Sequence, residues 1–381
     1  MERIYEYLKA SQGEIADDLE QLVKAESPSL DKTLTDRCGE QLRKMFVHHL
    51  GIDAELFPQT AVGDHMRFTY GEGESQILIL LHFDTVWEAG RLSYRVKGGK
   101  AYGPGILDMK GGIVQSLWAV KALKESGWKP RHKIVFLCTS DEEIGSGTSR
   151  ALIEEEAGRS EAVLVLEPPV ARTGALKTSR KSVGKYRIQI RGKAAHAGNH
   201  HEDGISAVEE MARQIIELHA LTDYAKGTTV NVGAAGGGNR ANVVAEYAEL
   251  QVDVRTVNLE ESERIHQAIT GLQPFLPGIA LQVEGGASRP PMVRSDQTQR
   301  LFRLASECGT ELGLALQESA AGGGSDGNFA AALGIPTLDG LGAVGEGPHA
   351  EYEHVELDHL PVRAALLAKL LVRLQTSGEQ V

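Results

Sequence analysis

An α/β fold with a mostly parallel central sheet, interrupted by a smaller α+β segment, is what this sequence predicts. Three observations carry the prediction. Near-continuous apolar runs at 76–83, 132–140 and 162–167 have the composition of strands buried on both faces. Helical periodicity fills the stretches between them, an alternation that produces parallel pairing. After about Lys181 the pattern changes to alternating strands around two amphipathic helices, and then helices return.

Each element follows in chain order. Residues 3–25 and 32–50 carry helical spacing, with Ile15, Leu19, Leu22 and Val23 on one side. QILILLHF (76–83) is the first buried strand. GGIVQSLWAVKALKESG (111–127) reads as a helix stopping at Gly127. HKIVFLCTS (132–140) is the second strand, a short helix lies near Thr148–Glu156, and AVLVLE (162–167) is the third strand. Then GKYRIQIRG (184–192), a helix at 204–221, strands at 228–234 and 243–254, a helix at 260–272 and a strand at 279–284 give the order β-α-β-β-α-β. That is the ferredoxin-like split unit. Helices at 296–313 and 359–375 flank a glycine-rich loop, GGGSDGN (322–328). The expected organisation is one domain built from 1–180 and 290–381, with 181–289 inserted into it.

Composition limits the function. The 381 residues are 41% hydrophobic and 24% charged, as in an ordinary soluble globular protein. A net charge of −12 argues against binding to nucleic acid or an anionic membrane. No apolar run approaches the ~18–20 residues of a membrane span. The opening MERIYEYLKASQ lacks the basic-then-apolar order of a secretory signal, so a cytoplasmic location is expected. Cys38, Cys138 and Cys308 are odd in number and far apart. They suggest small buried hydrophobes rather than a disulfide framework or a metal knuckle.

The chemistry lies at the strand ends, beyond which α/β sheets bind their ligands. The first strand ends in His82-Phe83-Asp84-Thr85, the second in Asp141-Glu142-Glu143 and the third in Glu167-Pro168-Pro169. GPGILDMKGG (103–112) places Asp108 in the loop that opens a helix. Carboxylates gathered without cations repel one another and drive their pKa values up, so this rim requires a cation. A histidine in the set favours zinc or another first-row metal over magnesium or calcium. His349, in GEGPHAEYEHV, supplies a second imidazole. If Asp108 bridges, His82 and Glu167 complete one ion while Glu143 and His349 complete the other. A shared hydroxide then makes each ion four-coordinate and the whole set neutral. Asp84, two residues from His82 on the same strand face, is placed to accept its other ring N–H. Glu142 is left as general base toward the attacking water and then acid toward the leaving nitrogen.

Read together in chain order, the segments at 82–85, 103–112, SDEEIGS (140–146), LEPP (166–169), GKAAHAG (192–198), GGGSD (322–326) and PHAEYEHV (348–355) resemble the co-catalytic dizinc metallopeptidases of the aminoacylase and carboxypeptidase G type. The resemblance implies a catalytic domain interrupted by a lid domain that dimerises. It implies two zinc ions per chain, held by His82, Asp108, Glu143, Glu167 and His349, with Glu142 as base and Asp84 orienting His82. His196 falls on a lid histidine that, in dimeric relatives, stabilises the tetrahedral oxyanion in the partner's site. The Asp108–Met109 bond falls on one that is cis in relatives. Arg255 matches a lid arginine that binds the substrate's free carboxylate, a task suited to bidentate pairing, and Asn242 lies near the same group. Arg289, with Lys177 and Arg180, would add positive charge for an acidic side chain. Glu at position 167 goes with carboxypeptidases and deacylases, whereas aminopeptidases tend to have Asp. The stretch from LEPP through GKAAHAG most resembles the glutamate carboxypeptidases. The expected activity is therefore cleavage of an amide bond next to a free C-terminal amino acid, in a small peptide or N-acyl-amino acid. N-acyl-amino-acid deacylase and dipeptidase activities are the alternatives.

Overall fold

The computed structural model describes residues 2–376. The chain forms two compact units. The first takes the residues up to Ser179, Arg294–Ala321 and the stretch from Ser325 onward; the second takes Arg180–Val293 with Gly322–Gly324.

In the first unit, strands β1 (Glu55–Phe57), β2 (His65–Tyr70), β3 (Gln76–His82), β4 (Arg95–Lys97), β5 (Lys100–Tyr102), β6 (Lys133–Thr139) and β7 (Ser160–Val165) precede the insertion, apart from one strand, Leu176–Arg180, at its boundary. The central sheet has the order β1-β2-β6-β3-β7, with the short strand Thr337–Leu338 beyond β7. Strand β3 pairs in parallel with both β6 and β7, and Thr337–Leu338 is parallel to β7. Strands β1 and β2 join the sheet antiparallel.

The central strand explains the unbroken apolar run. Ile77, Ile79 and Leu81 enter a core shared with α1 (Glu2–Ala10), α2 (Gln12–Lys24), α3 (Lys32–Leu50), α4 (Gly111–Glu125) and the helix Leu360–Thr376. Leu78 and Leu80 point the other way, into a core with Ile153 and Ala157 of α5 (Arg150–Gly158) and Phe329. Period-two alternation thus serves two cores at once. The parallel register sets His82 beside Thr139 and Leu80 beside Val165, so the three strands end along one edge.

Two local features differ from expectation. The helix expected over 3–25 is two helices that part at Ser11 (φ −90°, ψ 9°), where Ser11 and Gly13 weaken helical propensity. A small antiparallel sheet, in the order Gly345–Glu346, His354–Glu356, β5, β4, was not visible in the sequence because its strands are only two or three residues long. It sets the loop after β5, which carries Asp108, beside the 347–353 loop, which carries His349.

The second unit is a four-stranded antiparallel sheet in the order Thr229–Gly237, Tyr247–Arg255, Val183–Arg191, Ala280–Arg289. Helices α6 (Ala207–Ala220) and α7 (Leu259–Thr270) contribute Leu218, Ile265 and Ile269 to a core with Ile188, Ile190, Leu250 and Val252. Ser206 and Asn258 cap these helices by accepting the N–H groups of Glu209 and Glu261. Gly322–Gly324, expected with the catalytic part, groups with this unit. Arg180 Nη1 donates to the carbonyls of Gly323 and Gly324 at 3.1 and 3.2 Å. Among the described residues no helix is long and apolar enough to cross a membrane.

Candidate metal centre

The ends of β3, β6 and β7 deliver His82, the pair Glu142–Glu143, and Glu167, while the loop after β5 delivers Asp108. Gly105 shapes that loop at φ +64°. A Cβ there would lie 2.3 Å from Thr85 Cγ2 and push two ligand-bearing loops apart. At the start of α4, a Cβ on Gly112 would stand 2.2 Å from the carbonyl oxygen of Leu166, the residue before Glu167. The Asp108–Met109 peptide is cis.

Asp108 faces both imidazoles. His82 Nε2 lies 3.1 Å from Asp108 Oδ1 and 3.4 Å from Glu167 Oε1. His349 Nε2 lies 3.4 Å from Asp108 Oδ2 and 3.1 Å from Glu143 Oε2. Each trio, His82–Asp108–Glu167 and Asp108–Glu143–His349, gathers its donor atoms within 4.8 Å of one another.

Asp84 is fully buried beneath this rim. His82 Nδ1 lies 3.2 Å from the Asp84 carbonyl oxygen and 3.3 Å from its Oδ1. A carbonyl only accepts, so Nδ1 carries a proton and Nε2 is the atom presented to Asp108 and Glu167. The Asp84 carboxylate also accepts the main-chain N–H groups of Glu142 and Glu143, each at 3.2 Å, and the Ser29 hydroxyl at 2.7 Å. One side chain thereby holds a histidine of one strand end and the backbone of two glutamates on the next.

The electrostatics are those of a cage built for positive charge. Burial pushes Asp108 up, yet hydrogen bonds to His349 and His82 win and hold its carboxyl well below the usual carboxylate range. Burial, opposed by the His349 hydrogen bond and reinforced by the Asp108 charge, pushes Glu143 up to about 7. Hydrogen bonds to Asp108 and Glu143 raise His349 to about 11. His82 is also raised, its carboxylate partners overcoming burial. The donor set fits a first-row dication. Bonds of about 2.0–2.1 Å in a tetrahedron require donors about 3.3 Å apart, and the four His–carboxylate spacings bracket that value.

The predicted residues of the second unit form sets of their own. His196 is exposed, and its Nδ1 accepts the N–H groups of Gly198 and Asn199, both at 3.1 Å. Its other ring nitrogen, Nε2, is therefore the N–H donor. The Asn242 carbonyl accepts the Ala197 N–H at 3.0 Å, tying Asn242 to the His196 loop. Arg255 is clamped side-on by Asp253, Nε to Oδ1 at 2.7 Å and Nη2 to Oδ2 at 2.9 Å. Arg289 is buried at the end of its strand, in register with Val183.

Sequence reasoning missed Glu353. It is 1% exposed and accepts N–H groups from Gly105, Leu107, Asp108 and Trp87. Its only sequence signal is its place four residues after His349, in a polar loop where a glutamate is ordinarily solvated.

An α/β domain with an inserted α+β unit, and two nitrogen–oxygen donor trios sharing one carboxylate, defines the class of the metallopeptidases. The chain belongs to peptidase family M20/M25/M40, whose profile matches residues 78–373, and the family is hydrolytic. It is 34% identical over 314 residues to carboxypeptidase G2 of Pseudomonas sp. (strain RS-16), covering 80% of this chain and 75% of that one. It is 27% identical over 286 residues to acetylornithine deacetylase of Proteus mirabilis (strain HI4320), covering 68% and 72%. Its fold is similar to that of an M20 family metallo-carboxypeptidase from Sulfolobus solfataricus, with a TM-score of 0.77, 17% identity, and coverage of 94% and 98%.

Proposed function

We propose that this protein is a two-zinc carboxypeptidase that cleaves the amide bond preceding a free C-terminal amino acid, glutamate first among them. The observation that carries the reading is the Asp108 carboxylate, one oxygen toward His82 and the other toward His349. The similarity to carboxypeptidase G2 over most of the chain supports the carboxypeptidase side of it. Ions held by the two trios would supply Lewis acidity to the scissile carbonyl and to the attacking water. Glu142, its backbone fixed by Asp84, takes the proton of that water and returns it to the leaving nitrogen. His196 Nε2 donates to the oxyanion, from a partner copy if the chain dimerises through its inserted unit. Arg255, whose Nε edge is taken by Asp253, offers its Nη1 side to the substrate carboxylate, and Asn242 and Arg289 are assigned to the same substrate group.

A second reading, removal of an acyl group from an N-acyl-amino acid, is favoured by the acetylornithine deacetylase relative. One panel separates the two: N-benzoyl-glutamate, dipeptides with free and with blocked α-amines, and N-acetyl amino acids, each with zinc-loaded protein. Preferred release of glutamate supports the first reading; turnover of acetyl amino acids alone supports the second. Absence of amide hydrolysis in the whole panel overturns both.

A further inference from the structure

We propose that Glu353 is a positioning residue that locks together the loops bearing His82, Asp108 and His349, and thereby sets the affinity of the paired-cation site. The inference rests on the metal reading above. Glu353 Oε1 accepts the N–H groups of Leu107 at 2.9 Å and Asp108 at 3.1 Å. Its Oε2 accepts Trp87 Nε1–H at 2.8 Å and the Gly105 N–H at 3.3 Å. Trp87 belongs to the loop that leaves β3 just after His82 and Asp84. Glu353 itself closes the loop of His349: its N–H donates to the Ala350 carbonyl at 2.8 Å, and the Ala350 N–H to that of Gly347 at 2.9 Å.

Four donors from two loops thus converge on a carboxylate carried by a third. A carboxylate is acceptor-only and has about four lone-pair sites, so this one is saturated by groups that move with the metal ligands. Glu353 belongs to neither donor trio, so it acts through Asp108 and His349 and touches no cation itself. Glutamine at this position keeps one accepting oxygen and turns an NH₂ group toward two N–H donors, which loosens one loop from the other. Groups of this kind around metal ligands typically change metal affinity about 10–100-fold.

The test uses the full chain, stripped of metal and titrated with cobalt(II) chloride, whose visible absorption reports its coordination. Glu353→Gln and Trp87→Phe are compared with the unaltered protein. The expected result is two ions bound by the unaltered chain and a Kd raised about 10–100-fold in Glu353→Gln. Its turnover of N-benzoyl-glutamate, low at limiting cobalt, returns with excess cobalt at unchanged KM. Trp87→Phe, which removes one donor, shifts the Kd in the same direction by less. Unaltered cobalt affinity in Glu353→Gln overturns the proposal, as does a loss of turnover that excess cobalt does not restore. If Glu353→Gln does not fold, Trp87→Phe decides alone, and unchanged affinity there overturns it. Failure of the parent reading looks different: the unaltered chain itself would bind fewer than two cobalt ions.

Discussion

His82 and His349 reach opposite oxygens of the same carboxylate, Asp108, at 3.1 and 3.4 Å. The two donor trios are therefore not independent, and their loss should be unequal. His349→Ala removes one donor from one trio and should leave roughly one ion per chain, whereas Asp108→Ala removes a donor from both and should leave almost none. Metal content after dialysis against a weak chelator reads the difference. Equal losses in the two variants would contradict a bridging role.

Glu142 is assigned to proton transfer and not to either trio. Glu142→Gln should lower kcat by about 10²–10⁴-fold while leaving two ions bound, since general acid–base groups contribute on that scale. Steady-state kinetics beside metal analysis checks it. Near-normal kcat removes Glu142 from the mechanism.

The metal-free protein should respond to pH through His349. Its value near 11 lies above that of a free imidazole at about 6.5, so the stability it contributes is complete below about pH 6.5 and fades toward 11. Asp108 works in the opposite sense, its contribution fading in acid below about pH 4. Cation uptake must expel the His349 proton, so affinity rises as pH rises. The gap in Tm between loaded and stripped protein should widen from about pH 6.5 to 9. Melts in matched buffers decide it, and a gap that narrows counts against the assignment.

Gly112→Ala tests how tightly α4 sits against the strand that leads to Glu167. A backbone oxygen 2.2 Å from the new Cβ cannot rotate away, so the helix start must shift. Overpacking of this kind costs about 1–3 kcal/mol. A fall in Tm together with weaker cobalt binding is expected; a fall in Tm alone would separate this contact from the site.

Arg255→Ala should act on binding. Losing a hydrogen bond to a charged group costs about 1.5–3 kcal/mol, so KM for a substrate with a free C-terminal carboxylate should rise about 10–100-fold. An amidated substrate should be a poor one for both proteins. Equal KM values for Arg255→Ala and the unaltered chain would move the carboxylate site elsewhere.

Much of the central sheet could be read from the chain because β3 serves two cores and so has no polar position between Gln76 and His82 to confuse the pattern. The acidic rim was legible for the same reason: His82, Glu142, Glu143 and Glu167 interrupt apolar strands at their ends. Strands β1 and β2 were not, since β2 places Arg67 and Thr69 among its apolar residues and β1 is only three residues long. The Asp253–Arg255 clamp does have a signal, two opposite charges two apart on one strand face. What the sequence could not offer was contact through backbone. Asp84 holds the N–H groups of Glu142 and Glu143, and Glu353 holds those of the Asp108 loop, and every residue type but proline has such a group.

The donors of the first trio, His82, Asp108 and Glu167, all precede the inserted unit, whereas the second trio waits for His349 beyond it. A chain cut after the insertion would thus lack the second partner of Asp108, and also the Leu360–Thr376 helix whose side chains share the core of β3. Both trios are in this way anchored to the last stretch of the sequence, one through a donor and the other through the core beneath it.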